Sequence, residues 1–251
     1  MAKVRTLILR APGTNCDEET AFAFEQAGAA VDSAHVNELV RRKKPFSQYQ
    51  IMVMPGGFTY GDDVSAGKIL ANELRLKLGG DIQDFIERGG LILGICNGFQ
   101  VLVRAGILSP ANGNRLTLAG NDSNRFECHW VYLKVNQKSP CIFTRGMSAL
   151  YLPVAHGEGK VVAETLGNLK VVVRYADDKG NAKAGYPYNP NGSRDNIAGI
   201  CDASGRIFGL MPHPERFIRW SQHPRWTREP PREWGDGFSV FLNAVQWVKS
   251  S

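Results

Sequence analysis

Residues 91–100 read Leu-Ile-Leu-Gly-Ile-Cys-Asn-Gly-Phe-Gln. Leu91 to Ile95 is a short, wholly apolar run of the length of a buried strand, preceded by Gly89-Gly90. From Phe99 to Arg104 the pattern is that of a helix start, ending at Ala105-Gly106. A strand that runs into a helix through Gly94-Ile95-Cys96-Asn97-Gly98 must bend sharply at the cysteine. Such a bend lifts the side chain out of the sheet, and glycines two residues to either side remove the groups that would clash there. The N-terminus of the following helix favours negative charge on the sulfur. Taken alone, Gly-x-Cys-x-Gly also suits a buried structural cysteine between two glycine turns.

Outward from this stretch, the first half repeats strand, turn and helix. Val4 to Leu9 predicts a strand stopped by Pro12-Gly13, and Asp17 to Gln26 a helix with acids in its first turn, ended by Gly28. Val31 begins a second strand, and Ile51 to Met54 a third, closed by Pro55-Gly56-Gly57. Ser65 to Lys77 and Asp81 to Glu87 read as helices. These alternating units predict an α/β fold with an open, mostly parallel sheet flanked by helices. Beyond residue 130 the pattern changes. Val131 to Val135, Ala149 to Val154, Gly159 to Glu164 and Leu169 to Tyr175 predict added antiparallel strands. Ile197 to Cys201 and Arg206 to Met211 predict a closing hairpin, and residues 236–249 a last helix with an apolar stripe. A Trp-, Arg- and Pro-rich segment at about 217–236 precedes it, and without a convincing linker residues 1–251 read as a single domain.

The chain has 251 residues, 43% of them apolar and 22% charged, which is globular composition with enough length for a core held by packing. A net charge of +6 is modest. Its densest cluster, Arg41 to Lys44, reads as a solvated loop and lacks the aromatic platforms of a nucleic-acid stripe. Five dispersed cysteines without a Cys-x-x-Cys pair suggest neither a disulfide framework nor a zinc knuckle. No signal-peptide pattern or membrane-length apolar run is present, so a cytoplasmic protein is expected. Glu127, Cys128 and His129 lack a second ligand cluster, so no metal is expected. No phosphate-binding loop or dinucleotide fingerprint occurs, so no cofactor is expected in this chain.

Two further pieces join Cys96. Pro55-Gly56-Gly57-Phe58 ends a parallel strand, so its loop should open on the same sheet edge, where active sites of such sheets lie. A glycine N–H there could face a developing oxyanion, with the Asn97 N–H as second donor. Met211-Pro212-His213-Pro214-Glu215 follows another strand: His213 can act as general base and acid, and Glu215 can fix its tautomer. Asn15, Cys16 and Asp17 begin a helix that can also face this edge. His156-Gly157-Glu158-Gly159 reads as a loop lining substrate or partner, or as a plain turn.

With Cys96, His213 and Glu215 in this order, the chain resembles the triad (class I) glutamine amidotransferases. Their Gly-x-Cys-x-Gly-x-Gln pattern is matched from Gly94 to Gln100, their Pro-Gly-Gly at Pro55 to Gly57, and their His-x-Glu at His213 to Glu215. Within that family it is similar to the glutaminase subunits of phosphoribosylformylglycinamidine synthase. The stretches that carry this are Pro12 to Asp17, Gly56 to Asp63, Gly94 to Gln100, Asn124 to Phe126, His156 to Gly159, Tyr188 to Ser193 and Met211 to Arg216. The resemblance implies a flavodoxin-like fold and a Cys96 glutamyl-thioester formed from L-glutamine. It implies an oxyanion hole at Gly57 and Asn97, and substrate contacts from Phe58, Gln100, His156 and Glu158. Ammonia would pass to a synthetase subunit that uses ATP and Mg²⁺, with a small bridging subunit in some relatives. Other readings are an amidotransferase serving another synthetase, a cysteine peptidase on a related sheet, and a catalytically silent regulatory chain. The complete triad, and Asn97 where such peptidases place histidine, weigh against the last two.

Overall fold

The computed structural model describes residues 3–109 and 115–250. The strand β1 (Arg5–Arg10), buried from Thr6 to Leu9, lies between β2 (Ala30–His35) and β3 (Ile51–Met54) and runs parallel to both. Beyond β3 the parallel run continues through β4 (Leu91–Ile95) to β11 (Ile207–Leu210). Both β3 and β4 are buried along their whole length, as expected of strands covered on two faces. The chain leaves β1 to one side for β2 and returns to the other for β3. With right-handed crossovers this reversal puts the intervening helices on opposite faces and opens a crevice at the C-terminal strand ends.

The helices are α1 (Asp17–Gln26), α2 (Val36–Val40), α3 (Lys68–Lys77), α4 (Gly79–Glu87), α5 (Asn97–Arg104) and α6 (Phe238–Ser250). Asp17, Glu18 and Glu19 place negative charge at the N-terminus of α1, where the helix dipole favours it, and Gly28 at φ 90° lets the chain leave. Helix α3 begins three residues later than the sequence pattern suggests. Gly67 at φ 73° breaks the helical backbone before it. The short helix α2, for which the sequence pattern gives no signal, is held by a capping box between His35 and Glu38. Helix α1 packs on α6, with Phe24 and Phe241 edge to face at 5.0 Å, and α5 packs on α3.

The second half extends the same sheet with antiparallel strands. From β11 outward these are β10 (Ile197–Cys201), β9 (Lys170–Ala176), β6 (Glu127–Val135) and β7 (Ala149–His156). The hairpin β10–β11 is thus the seam between the two regimes, since β11 is antiparallel to β10 and parallel to β4. One expected strand leaves this sheet. The strand β8 (Glu158–Ala163) pairs instead with β5 (Leu116–Gly120), a strand the sequence pattern did not reveal, in a separate two-stranded ribbon.

Residues 217–236 fold back over the aromatic side of the β6–β7 ladder. Trp220 stacks on buried His223 at 4.6 Å and 14°, and that imidazole also contacts Trp130 and Tyr151. Arg232 lies 4.6 Å above the Trp220 ring, and Asp236 accepts a 2.8 Å hydrogen bond from the backbone of Tyr151 on edge strand β7. No helix among the described residues is long and apolar enough to cross a membrane.

One glycine controls how closely helix α5 approaches β3. A Cβ on Gly98 would lie 1.8 Å from the carbonyl oxygen of Met54, a backbone atom that cannot rotate away. Gly98→Ala must push the helix off the sheet, with an expected cost of about 3 kcal/mol or more by urea unfolding. A loss below about 1 kcal/mol would mean that the helix has room to slide.

Candidate active site

The C-terminal ends of β1, β3, β4 and β11 bring four segments to one edge: Cys16, Pro55 to Phe58, Cys96 and His213. At Cys96 the backbone takes φ 52° and ψ −107°, a conformation that L-residues rarely adopt. This is the strained elbow that the glycine spacing predicts. A Cβ on Gly94 would lie 2.8 Å from the Gly98 carbonyl oxygen, so Gly94 must lack a side chain for α5 to turn this close to β4. The Cys96 N–H donates to the Leu210 carbonyl at 2.8 Å, tying the turn to β11, and the side chain is 5% exposed.

The glycine loop stands beside this elbow. Gly57 has φ 150°, and a Cβ there would come within 2.6 Å of the Gly13 carbonyl oxygen. The bridge between this loop and residues 13–16 runs through the N–H groups of Asn15, Cys16 and Phe58 and the carbonyls of Gly56 and Gly13. Among the described residues the Gly57 N–H has no acceptor. The Asn97 side chain joins loop to elbow: its Oδ1 accepts from Thr59 Oγ1 at 2.6 Å, and its Nδ2 donates to Asp62 Oδ1 at 3.1 Å. Sequence reading assigned Asn97 only its backbone. The neighbouring Gly-Phe-Thr-Tyr-Gly-Asp-Asp run carried the missing signal, in a buried Asn that needs polar partners.

His213 is 1% exposed, and its backbone N–H donates to Pro153 on β7 at 2.9 Å. Its Nδ1 lies 2.5 Å from Glu215 Oε1, and Nε2 has no hydrogen-bond partner among the described residues. Burial acts to lower the His213 pKa. The charges of Glu215 and Cys96 outweigh it, and with help from Cys16 they hold the imidazole well above its ordinary value.

Two cysteines therefore flank one imidazole. Cys16, His213 and Glu215 bring ligand-type atoms within 4.8 Å of one another, and hydrogen bonding accounts for the group. The Cys16 sulfur is fully buried, 4.0 Å from His213 Nδ1, and accepts from Arg216 Nη2 at 3.1 Å. Nδ1 is already committed to Glu215, so Cys16 is on the wrong side of the ring to exchange a proton with a free nitrogen. Cys96 has the elbow, the neighbouring free N–H and the helix N-terminus.

The four remaining expected residues divide. Phe58 is 45% exposed and lies 6.1 Å, centroid to centroid, from Phe126, itself 52% exposed, so the two rings form an apolar patch beside the glycine loop. Gln100 is buried with both ends of its amide engaged, accepting from Asn97 Nδ2 at 3.2 Å and donating to the Glu158 carbonyl at 2.7 Å. The Glu158 carboxylate is 3.4 Å from Arg104. These polar groups brace α5. Of the two readings of 156–159 the structure has the turn: it is the corner where β7 passes into β8. His156 is buried there, its Nδ1 3.1 Å from Asn121 Oδ1 and its Nε2 unpartnered. Burial, with His213 nearby, pushes the His156 pKa down to about 3, so this imidazole is neutral at physiological pH.

A model of the CobB/CobQ-like glutamine amidotransferase domain matches residues 3–248. The chain is 56% identical over 253 residues to phosphoribosylformylglycinamidine synthase subunit PurQ of Dehalococcoides mccartyi, covering 99% of both chains. It is 43% identical to a protein of the same name from Methanococcus maripaludis, covering 97% of each. Among solved structures it is similar to a chain of PurLQS from Thermotoga maritima, with a TM-score of 0.75 and 32% identity over 98% of this chain and all of that one. A glutamine amidotransferase from the same organism shares the fold alone, with a TM-score of 0.55 and 17% identity over 98% of this chain and 97% of that one. The chain therefore belongs to the family of PurQ subunits of phosphoribosylformylglycinamidine synthase, among the CobB/CobQ-like glutamine amidotransferase domains.

Proposed function

We propose that this chain is a cytoplasmic glutaminase of purine biosynthesis in which Cys96 attacks the side-chain amide of L-glutamine. His213 takes the thiol proton and delivers it to the departing ammonia, and Glu215 holds the imidazole with Nδ1 as donor and Nε2 toward the thiol. The N–H groups of Gly57 and Asn97 receive the tetrahedral oxyanion, and water then hydrolyses the glutamyl thioester. The observation that carries this reading is the 2.5 Å bond between His213 Nδ1 and Glu215, which leaves Nε2 free on the side away from it. An imidazole held above its ordinary pKa keeps its proton until an amine needs it.

The ammonia goes to an ATP- and Mg²⁺-dependent synthetase subunit that converts formylglycinamide ribonucleotide to formylglycinamidine ribonucleotide, with a small bridging subunit in the complex. The naming of the 56% identical relative and the origin of the solved relative in a PurLQS assembly support that setting. The exposed Phe58–Phe126 patch beside the glycine loop would be covered in such a complex.

The test combines this chain with a synthetase subunit from the same source, glutamine, ATP, Mg²⁺ and formylglycinamide ribonucleotide. Formation of the amidine product is expected from glutamine and, without this chain, from ammonium salt. Glutamate release without product, beside a synthetase that works on ammonia, would leave an amidotransferase and remove the purine assignment.

A further inference from the structure

Cys16 takes no part in the chemistry described above, yet it is completely buried against the catalytic imidazole. Its sulfur lies 4.0 Å from His213 Nδ1, and a Cβ on Gly56 would meet that sulfur at 3.2 Å and the imidazole Cε1 at 2.8 Å. Gly56, Cys16 and the Cε1–Nδ1 edge of the ring are therefore in mutual contact. On its far side the sulfur accepts from Arg216 Nη2 at 3.1 Å, and Arg216 Nε lies 4.0 Å from Glu215 Oε1. The four side chains close a loop: imidazole to carboxylate, carboxylate to guanidinium, guanidinium to sulfur, sulfur back to imidazole.

We propose that Cys16 is a positioning residue for His213: its sulfur, pinned by Arg216, is the wall that keeps Nδ1 on Glu215 and Nε2 directed at Cys96. The proposal rests on the reading of Cys96, His213 and Glu215 as the catalytic group. The need for such a wall follows from the surroundings. On the side away from Cys16, Nε2 has no hydrogen-bond partner among the described residues, so no hydrogen bond there holds the ring against tilting. Gly56 has no side chain to restrain it. Arg216 alone would compete with His213 for Glu215. A sulfur acceptor draws the guanidinium aside, and Cys16 also favours the charged form of both neighbours. The charged groups facing Cys16 are Arg216, His213 and Glu215; the adjacent Asp17 is paired with Arg10 at 2.6 Å. The position at the N-cap of α1 is fixed through the Cys16 backbone, whose N–H donates to Gly56 and whose carbonyl accepts from Thr20 Oγ1 at 2.5 Å.

The experiment compares wild type, Cys16→Ala, Cys16→Ser and Cys96→Ala in the complex with the synthetase, measuring kcat and KM for glutamine across pH. Cys16→Ala is expected to lower kcat about 10- to 100-fold with KM little changed, the loss that follows when a catalytic group is slightly misplaced. Its alkaline limb should move to lower pH, because the imidazole loses an acceptor that favours its proton. Cys16→Ser, which keeps a polar acceptor toward Arg216, should recover part of both effects. An unchanged alkaline limb in both variants, with activity lowered equally at every pH, would overturn the positioning role; so would wild-type kcat in Cys16→Ala. Should Cys16→Ala fail to fold, the limb of Cys16→Ser alone decides. Labelling with 6-diazo-5-oxonorleucine and peptide mapping separates the two readings. Label on Cys96 in wild type and in the Cys16 variants keeps the catalytic group whatever the pH result, whereas label on Cys16 would overturn both.

Discussion

Cys96→Ala is expected to abolish glutamine-dependent turnover while leaving ammonia-dependent synthesis by the complex at the wild-type rate. Removing the nucleophile of a comparable hydrolase triad costs about 10⁶-fold in kcat, and the oxyanion donors retain only a small residual. The substitution leaves the rest of the site standing, because the bend depends on Gly94 and Gly98 and on the bond from the residue 96 N–H to Leu210. The same position yields a stability readout. At φ 52° any L-side chain is strained by about 1 kcal/mol or more, so Cys96→Gly should unfold at higher denaturant than Cys96→Ala. Glutamate release by Cys96→Ala within about tenfold of wild type would remove Cys96 as nucleophile, since that is only about 1.4 kcal/mol of barrier. A stable, catalytically dead Cys96→Gly would show that the fold carries this strain for the sake of the sulfur.

Glu215→Gln should cost about 10⁴-fold in kcat, the loss seen when a triad carboxylate becomes an amide and the imidazole can adopt the wrong tautomer. The effect is large because the carboxylate is fully enclosed and supplies the main positive influence on the His213 pKa. Without it, burial dominates and the imidazole falls toward its neutral form. Stability against pH changes with it. In wild type the raised His213 pKa contributes stability that is fully present below about pH 6.5, the unfolded value. That contribution is lost as pH rises through the folded value. Glu215→Gln should lack this alkaline decline, so urea midpoints measured from neutral to alkaline pH converge for the two proteins as the wild type gives up its advantage. Parallel midpoint curves would mean that the pair does not hold a proton in the folded state.

Much of this was legible in the chain itself. The runs Ile51–Met54 and Leu91–Ile95 lack polar side chains because strands covered on both faces have no polar side, and paired glycines follow the first and precede the second. Their ends mark one edge of the sheet, and Pro55-Gly56-Gly57, Cys96 and His213-x-Glu215, in that order, supply the residues of the chemistry proposed for it. The elbow could be read from the chain because a side chain at position 94 would run into the Gly98 carbonyl four residues on, and local sterics are written in local residues.

The remaining features depend on residues far apart in the chain. The strand β8 left the main sheet because its partner β5 lies some 40 residues away, and alternation within one strand does not name its partner. The segment 217–236 was a composition until His223 met Trp130 and Tyr151, with Trp220 stacked on His223 and Arg232 over Trp220. His156 read as part of a loop or a turn and became a buried, neutral imidazole, because burial is set by what packs against it. Cys16 became a neighbour of His213 across 197 positions of sequence. Backbone bends are specified by the residues that make them, but the partners of a buried polar group are specified by the whole chain closing around it.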